Sequence, residues 1–308
     1  MSQLNDQELI NELVKRFDET KKALSEVQKL NEELKEVNKK LEESESMKSH
    51  FISNITNEII NPFASILALS KNILSVEKEN WKKVITMVSH IYTEAFHLDF
   101  QFRNIFAAAK LEAGEVVPEI LNVDVSSLVE SIIESFSHLA KKKFIGIELK
   151  NDLKEEKSKI VLFKTDPEKL RLIISNLLSN AINFSFEKSR IIIKIWKSEN
   201  FLLISVQDFG TGISVENQKI IFDRFKRLSS GIDSINRGHG LGLSVNKAMI
   251  DLLGGKIDIK TELNKGSVFT VCIPEYDGEI SGIAFDDNEF FFNSDEVKMS
   301  ENDKEEVF

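Results

Sequence analysis

Two asparagines four residues apart, Asn176 and Asn180 in the run NLLSNAINF, share one face of any helix that holds them. Amide oxygens are hard, neutral ligands, suited to a magnesium ion that also touches phosphates. Downstream, DFGTGI places Asp208 after a strand-like run and before Gly210 and Gly212. A carboxylate there can accept a hydrogen bond from an adenine amino group, and the glycines let the backbone turn tightly beside the base. A third run, GHGLGL, contributes Gly238, Gly240, Leu241 and Gly242 and leads into a helical pattern. Glycines before a helix start bring backbone N–H groups close to phosphate oxygens. Between the glycine runs, FDRFKR offers Phe222 and Phe225 to pin a Ser- and Gly-rich segment, residues 229–237. Arg224, Arg227 and Arg237 could supply phosphate-binding charge. Each run alone is weak, since paired asparagines decorate many helices and Asp-x-Gly-x-Gly suits a plain β-turn. GHGLGL has no strand directly before it and lacks a Gly-Lys-Ser/Thr ending, so it fits neither a dinucleotide fingerprint nor a Walker loop. The fixed order of all four runs over residues 176–243 is what points to a pocket for ATP and Mg2+.

These residues need elements to position them. From residue 115 to 274, helix-like stretches (126–142, 167–184, 243–253) are mixed with strand-like ones (145–149, 159–163, 191–196, 202–207, 256–261, 268–273). That mixture predicts an α/β sandwich, one sheet faced by helices. Residues 1–48 predict a coiled-coil stalk. Ile10, Leu13, Phe17, Thr20, Leu24, Val27, Asn31, Leu34, Asn38 and Leu41 alternate at spacings of three and four. With Ile10 at position a, Asn31 and Asn38 also fall at a, where buried asparagines fix register and favour two parallel strands. The frame continues through Ile52, Ile55, Ile59, Ile66 and Leu69, and Pro62 should kink the helix. A second helix is expected from Trp81 to about Glu112, with a seam of Val84, Met87, Ile91, Ala95, Leu98, Phe102, Ile105 and Ala109, ended by Gly114. Residues 49–114 therefore predict a helical hairpin, and two hairpins make a dimeric four-helix bundle. The fold class expected is α+β.

The chain has 308 residues and a net charge of −10. Residues 275–308 carry twelve acidic side chains against two lysines, so this tail accounts for the imbalance and is expected to be disordered. Phe290, Phe291 and Phe292 form a candidate docking patch within it. No basic patch points to nucleic acid, no apolar run is long enough for a membrane span, and the polar N-terminus does not read as a secretory signal. Cys272 is the single cysteine, which excludes an intrachain disulfide and fits a reducing, cytoplasmic setting.

Together with LGGKIDIKTELNKGSVFTVCIP (253–274), the four runs resemble the catalytic domain of sensor histidine kinases, over roughly residues 47–274. The resemblance implies a Bergerat-type α/β sandwich, shared with gyrase and Hsp90-like ATPases, that binds ATP and Mg2+. It implies a response regulator receiver domain as partner, and a homodimer or a heterodimer with another histidine kinase. Those ATPase relatives place a glutamate base where Asn176 stands, which argues against their activity here. One departure lies in the pocket: Asn183 occupies a position where the family usually has lysine or arginine.

A second departure is more consequential. The family's first bundle helix carries a segment like Phe-x-x-Asn-x-Ser-His-Glu-Leu-Arg-Thr-Pro-Leu, and here it is FISNITNEIINPF, residues 51–63. Phe51, Asn54, Glu58 and Pro62 match, but the phosphate-accepting histidine is replaced by Asn57, and Ile60 and Asn61 take the arginine and threonine positions. Imidazole has a basic nitrogen lone pair, whereas the Asn57 amide nitrogen is delocalised into its carbonyl and cannot usefully attack a phosphoryl group. His50 lies one heptad upstream, about 10 Å along the helix at 1.5 Å per residue, and is followed by Phe51 instead of an acid. His90, His97 and His239 are not expected to substitute. Glu58 and Asn61 are three apart on one face and resemble the family's element that dephosphorylates a response regulator. Three readings follow: phosphotransfer from an unusual site or through a partner kinase, a phosphatase-biased regulator, and a non-enzymatic ATP-sensing scaffold.

Overall fold

The computed structural model describes residues 6–76, 80–153, 161–223, 240–278 and 283–284; of residues 6–8, 40, 43, 44, 46–55, 57, 58, 283 and 284 it describes the backbone alone. The chain divides into two compact units, Met1–Asn54 and Ile55–Phe308. The helix α1 (Asp6–Leu74) forms the described part of the first unit and begins the second; Pro62 lies within it and does not end it. Charged pairs one turn apart, such as Glu12 with Arg16 at 3.1 Å, line its polar faces. Ile10, Leu13, Phe17, Leu24, Val27, Leu34 and Leu41 all stay more than half exposed in the single chain.

In the second unit, α2 (Trp81–Ala113) ends at Gly114, whose φ of 69° and N–H bond to the Leu111 carbonyl make a left-handed cap, as the sequence predicts. The expected seam is one face of α2. A second face, Phe96, Phe100 and Asn104, packs inward: Phe96 and Phe100 meet the ring of Phe136 edge-on, with centroids 5.1 and 5.6 Å away. Then follow β1 (Leu121–Asp124), α3 (Val125–Lys142), β2 (Gly146–Asn151), β3 (Leu162–Thr165) and α4 (Pro167–Phe184). The chain continues through β4 (Arg190–Ser198), β5 (Phe201–Asp208), α5 (Val215–Gln218), α6 (Gly242–Leu252), β6 (Lys256–Glu262), β7 (Gly266–Pro274) and β8 (Ile283–Ala284).

Five strands form the main sheet in the order β2-β4-β5-β7-β6, antiparallel except for β2 beside β4. Every second residue points to one face: Ile191, Ile193 and Ile195 on β4, Leu202, Ile204 and Val206 on β5, Phe269, Val271 and Ile273 on β7. Ile173, Ile174, Leu177 and Leu178 of α4 are buried against that face, between α3 and α6. The expected single sheet is corrected here, because β3-β1-β8 forms a separate small sheet. Its strands β1 and β8 are too short to show a period, and β1 ends in the aspartate that starts the next helix. Of the strand expected at 159–163, residues 159 and 160 lie outside the described residues; the described strand is 162–165, where the inward alternation runs through Phe163 to Thr165 opposite β1. Both long helices of the sandwich start on aspartate caps. Asp124 accepts from the Ser126 and Ser127 N–H groups, and Asp166 accepts from the Lys169 N–H ahead of Pro167.

Candidate nucleotide site

Asp208 ends the middle strand of the main sheet and continues the inward series Leu202, Ile204, Val206. Its carboxylate therefore stands where another aliphatic side chain would pack, and it is 5% exposed. Burial pushes its carboxyl up from 3.8 to about 6, with backbone N–H groups at Ser267 and Gly210 pulling the other way. Among the described residues its Oδ1 is buried with no hydrogen-bond partner. A buried acceptor without a donor is costly unless a ligand supplies one. A purine amino group is such a donor, so the residues present fit an adenine.

The turn after Asp208 is pinned on two sides. Ser185, just past α4, makes an isolated bridge to Gly210, and the Thr211 N–H donates to the Phe184 carbonyl at 3.2 Å. A Cβ at Gly210 would collide with that carbonyl. On the other side, Gly212 has a φ of 62° and lies against the Glu262 carbonyl, while the Ile213 N–H donates to Thr261 Oγ1 at 2.9 Å. Both glycines thus permit close packing of backbone on backbone, joining α4 to the β6–β7 hairpin around Asp208. Thr261 and Ser267, whose hydroxyls are 2.9 Å apart, belong to this support, and the motifs alone do not single them out.

Asn176, Asn180 and Asn183 all lie on α4. Asn176 is 2% exposed, whereas Asn180 and Asn183 are half-buried. The Asn176 Nδ2 donates to Asn104 Oδ1 on α2 at 2.8 Å and to Asn246 Oδ1 on α6 at 2.9 Å, with the Gly242 carbonyl at 3.3 Å. Sequence reasoning missed Asn104 and Asn246. A polar residue inside an otherwise apolar helix face was the available signal for both. The side-chain cation near the end of α4 is Lys143, whose Nζ donates to the Ile182 and Asn183 carbonyls at 2.7 Å each. The helix α6 begins at Gly242 after Leu241, with no side chain capping its start, unlike α3 and α4. Among the described residues no side chain takes up its first N–H groups, the arrangement that suits an anion.

The remaining predicted residues fall elsewhere. Arg224, Arg227, Arg237, Gly238 and His239, and the phenylalanines at 290–292, lie outside the described residues, and Gly240 is at the edge of the described part. Asn57 and Glu58 sit on α1 with side chains outside the description, and Asn61 is exposed on the same helix. His90 is exposed on α2; His97 is half-buried there, and burial lowers its imidazole below the usual 6.5.

The model of the family described as "Histidine kinase-, DNA gyrase B-, and HSP90-like ATPase" matches residues 165–277, a span that holds α4, Asp208, the glycine turn, α6 and the closing hairpin. Over 238 residues the chain is 28% identical to the circadian input-output histidine kinase CikA of Synechocystis sp., covering 74% of this chain and 31% of that protein. Residues 165–277 belong to that histidine kinase-type ATPase family, and the chain is similar to sensor histidine kinases. Further histidine kinases show the same extent of likeness. Sensor histidine kinase TmoS of Ectopseudomonas mendocina is 30% identical over 235 residues, 75% of this chain and 23% of that one. Sensor histidine kinase RppB of Synechocystis sp. is 27% identical over 231 residues, 75% of this chain and 50% of that one. The chain thus spans half or less of the length of these histidine kinases. The fold is that of full-length ShkA, solved in complex with AMPPNP, at a TM-score of 0.52 and 21% identity over 75% of this chain and 46% of that one. Among the described residues, no helix is long and apolar enough to cross a membrane.

Proposed function

We propose that this chain is a cytoplasmic, dimeric two-component signalling protein that binds Mg2+·ATP, does not phosphorylate itself at Asn57, and dephosphorylates a response regulator. The observation that carries ATP binding is the buried, unpartnered Asp208 Oδ1 inside the segment matched to the ATPase family. Asn176 and Asn180 are the side chains that would hold magnesium, as hard amide oxygens on α4. Magnesium there supplies charge neutralisation for the phosphates. The half-buried Asn183 in place of a cation leaves that neutralisation weaker. The apolar seam left exposed on α1, from Ile10 to Leu41, is the reason to assign a second copy as its cover.

The lost nucleophile and the retained Glu58 and Asn61 favour the phosphatase reading. On a receiver's phospho-aspartate, a water oxygen attacks phosphorus in line while the bond from phosphorus to the carboxylate oxygen breaks. The products are the free aspartate and inorganic phosphate, and the proton of water passes to solvent. The Asn61 carboxamide, exposed on α1, holds the water for attack, which needs positioning but no histidine.

The test uses the full chain with γ-labelled ATP and magnesium, followed by a phosphorylated cognate receiver. The protein gains no acid-labile phosphate, it speeds loss of label from the receiver, and Asn61→Ala slows that loss by about tenfold or more. Label on His50 or elsewhere in the chain overturns the first part. An unchanged rate with Asn61→Ala overturns the second.

A further inference from the structure

Three buried carboxamides from three helices meet at the nucleotide site. Asn104 of α2 is 3% exposed, Asn176 of α4 2% and Asn246 of α6 0%. Asn104 is the one fully buried residue of α2 among those described. Its position sets bundle helix and magnesium-site residue in direct contact, at 2.8 Å.

The directions of these bonds are fixed by backbone carbonyls, which can only accept. Asn246 Nδ2 donates to the Ile173 carbonyl at 3.0 Å, so its oxygen must face Asn176. Asn104 Nδ2 donates to the Phe100 carbonyl at 3.0 Å, so its oxygen must also face Asn176. Two acceptors then converge on one end of the Asn176 amide, and that end must be the Nδ2. A flipped amide would bring three oxygens together in a dry site, which is strongly unfavourable. Oδ1 is left as the opposite end, beside Gly242 at the start of α6; a Cβ on Gly242 would stand 3.4 Å from it. No donor among the described residues reaches it.

We propose that Asn104 is a positioning residue that acts through Asn176, turning its carboxamide oxygen toward the magnesium-nucleotide, so that magnesium-dependent affinity requires α2 to be seated on α4 and α6. This inference rests on the reading of the site as one for Mg2+·ATP. It assigns to the bundle helix a share of the nucleotide site through one hydrogen bond. By reciprocity, whatever draws α2 away lowers Mg2+·ATP affinity, and Mg2+·ATP holds α2 in place.

The test titrates the full chain with a fluorescent ATP analogue, with magnesium and with EDTA in its place. The readout is the ratio of the two dissociation constants. Asn104→Leu keeps the bulk and loses the acceptor; Asn104→Ala loses both and guards against a packing artefact; Asn104→Asp keeps an acceptor oxygen. The expected result is that Leu and Ala reduce the magnesium-dependent gain by about tenfold, the worth of one well-made buried hydrogen bond, with magnesium-free affinity unchanged within about twofold. Asp restores the gain. A merely structural role for Asn104 would weaken both constants alike, and that outcome overturns the inference. So does a wild-type gain retained by Leu and Ala, or a wild-type protein indifferent to magnesium. Failure of the unaltered protein to bind the analogue under either condition overturns the nucleotide reading itself, and this inference falls with it.

Discussion

Asp208 shows how a candidate binding residue is made from a core position. A strand places every second side chain inward, and at the fourth inward position of β5 the sequence puts an acid after Leu202, Ile204 and Val206. Burial raises its carboxyl to about 6. Between the unfolded value near 3.8 and the folded value, the folded protein binds more protons than the unfolded one. This group's contribution to stability is therefore fully present below about pH 4 and is lost as pH rises through about 6. At neutral pH the ionised, half-satisfied carboxylate is a local cost that a bound adenine offsets. Asp208→Asn should flatten the pH dependence of thermal unfolding between pH 4 and 6 and raise the melting temperature of the ligand-free protein at pH 7.5. The same change presents an amide in place of the carboxylate and should weaken binding of a fluorescent ATP analogue at least about tenfold. A variant that keeps wild-type affinity would remove Asp208 from the site. The glycine motif made Asp208 legible in the chain. Asn104 was not legible, because its long-range partner Asn176 is 72 residues away and no local pattern links them.

At the scale of elements, periodicity was informative where elements are long. The helices α2, α3, α4 and α6 lie within one or two residues of expectation, and Gly114 ends α2 as expected. Short strands escaped, since four residues in β1 and two in β8 carry no readable alternation. The helix α2 was half read. Its 3.6-residue seam was seen, while the face of Phe96, Phe100 and Asn104 became visible only against Phe136 and Asn176. The helix α1 has the converse property, a legible heptad left exposed in the single chain, for which we propose a second copy as cover. Leu24→Asp combined with Leu34→Asp places carboxylates at a and d positions and should raise the dimer dissociation constant by about a hundredfold or more. Sedimentation equilibrium reads this directly, and an unchanged mass distribution would show that the stalk is not the dimer seam.

On the scale of the whole molecule, a histidine kinase-type ATPase segment accompanies Asn57, which the sequence resemblance aligns with the family's phosphate-accepting histidine. The chemistry missing at Asn57 is a basic nitrogen lone pair, which one substitution supplies. Asn57→His, with Glu58 already next to it, should gain acid-labile phosphate from labelled ATP while the unaltered protein gains none. Acid lability together with mass-spectrometric location of the modified residue checks it. A variant that binds ATP and still gains no label would place the defect in the nucleotide site, where Asn183 stands in for a cation, or in the neighbouring Ile60.

The residues by themselves determined the resemblance to histidine kinases, the order of the site motifs, the long helices and the absence of an imidazole at position 57. These are properties of local type and spacing, which the chain carries whether folded or not. The tertiary structure decided that Asp208 Oδ1 is buried without a donor among the described residues, that Gly210 and Gly212 are packing contacts against α4 and the β6–β7 hairpin, and that Asn176 is oriented by amides from two other helices. Each of those depends on which distant backbone or side chain arrives within about 3 Å. Only the closing of the sheet and the docking of α2, α4 and α6 fix that.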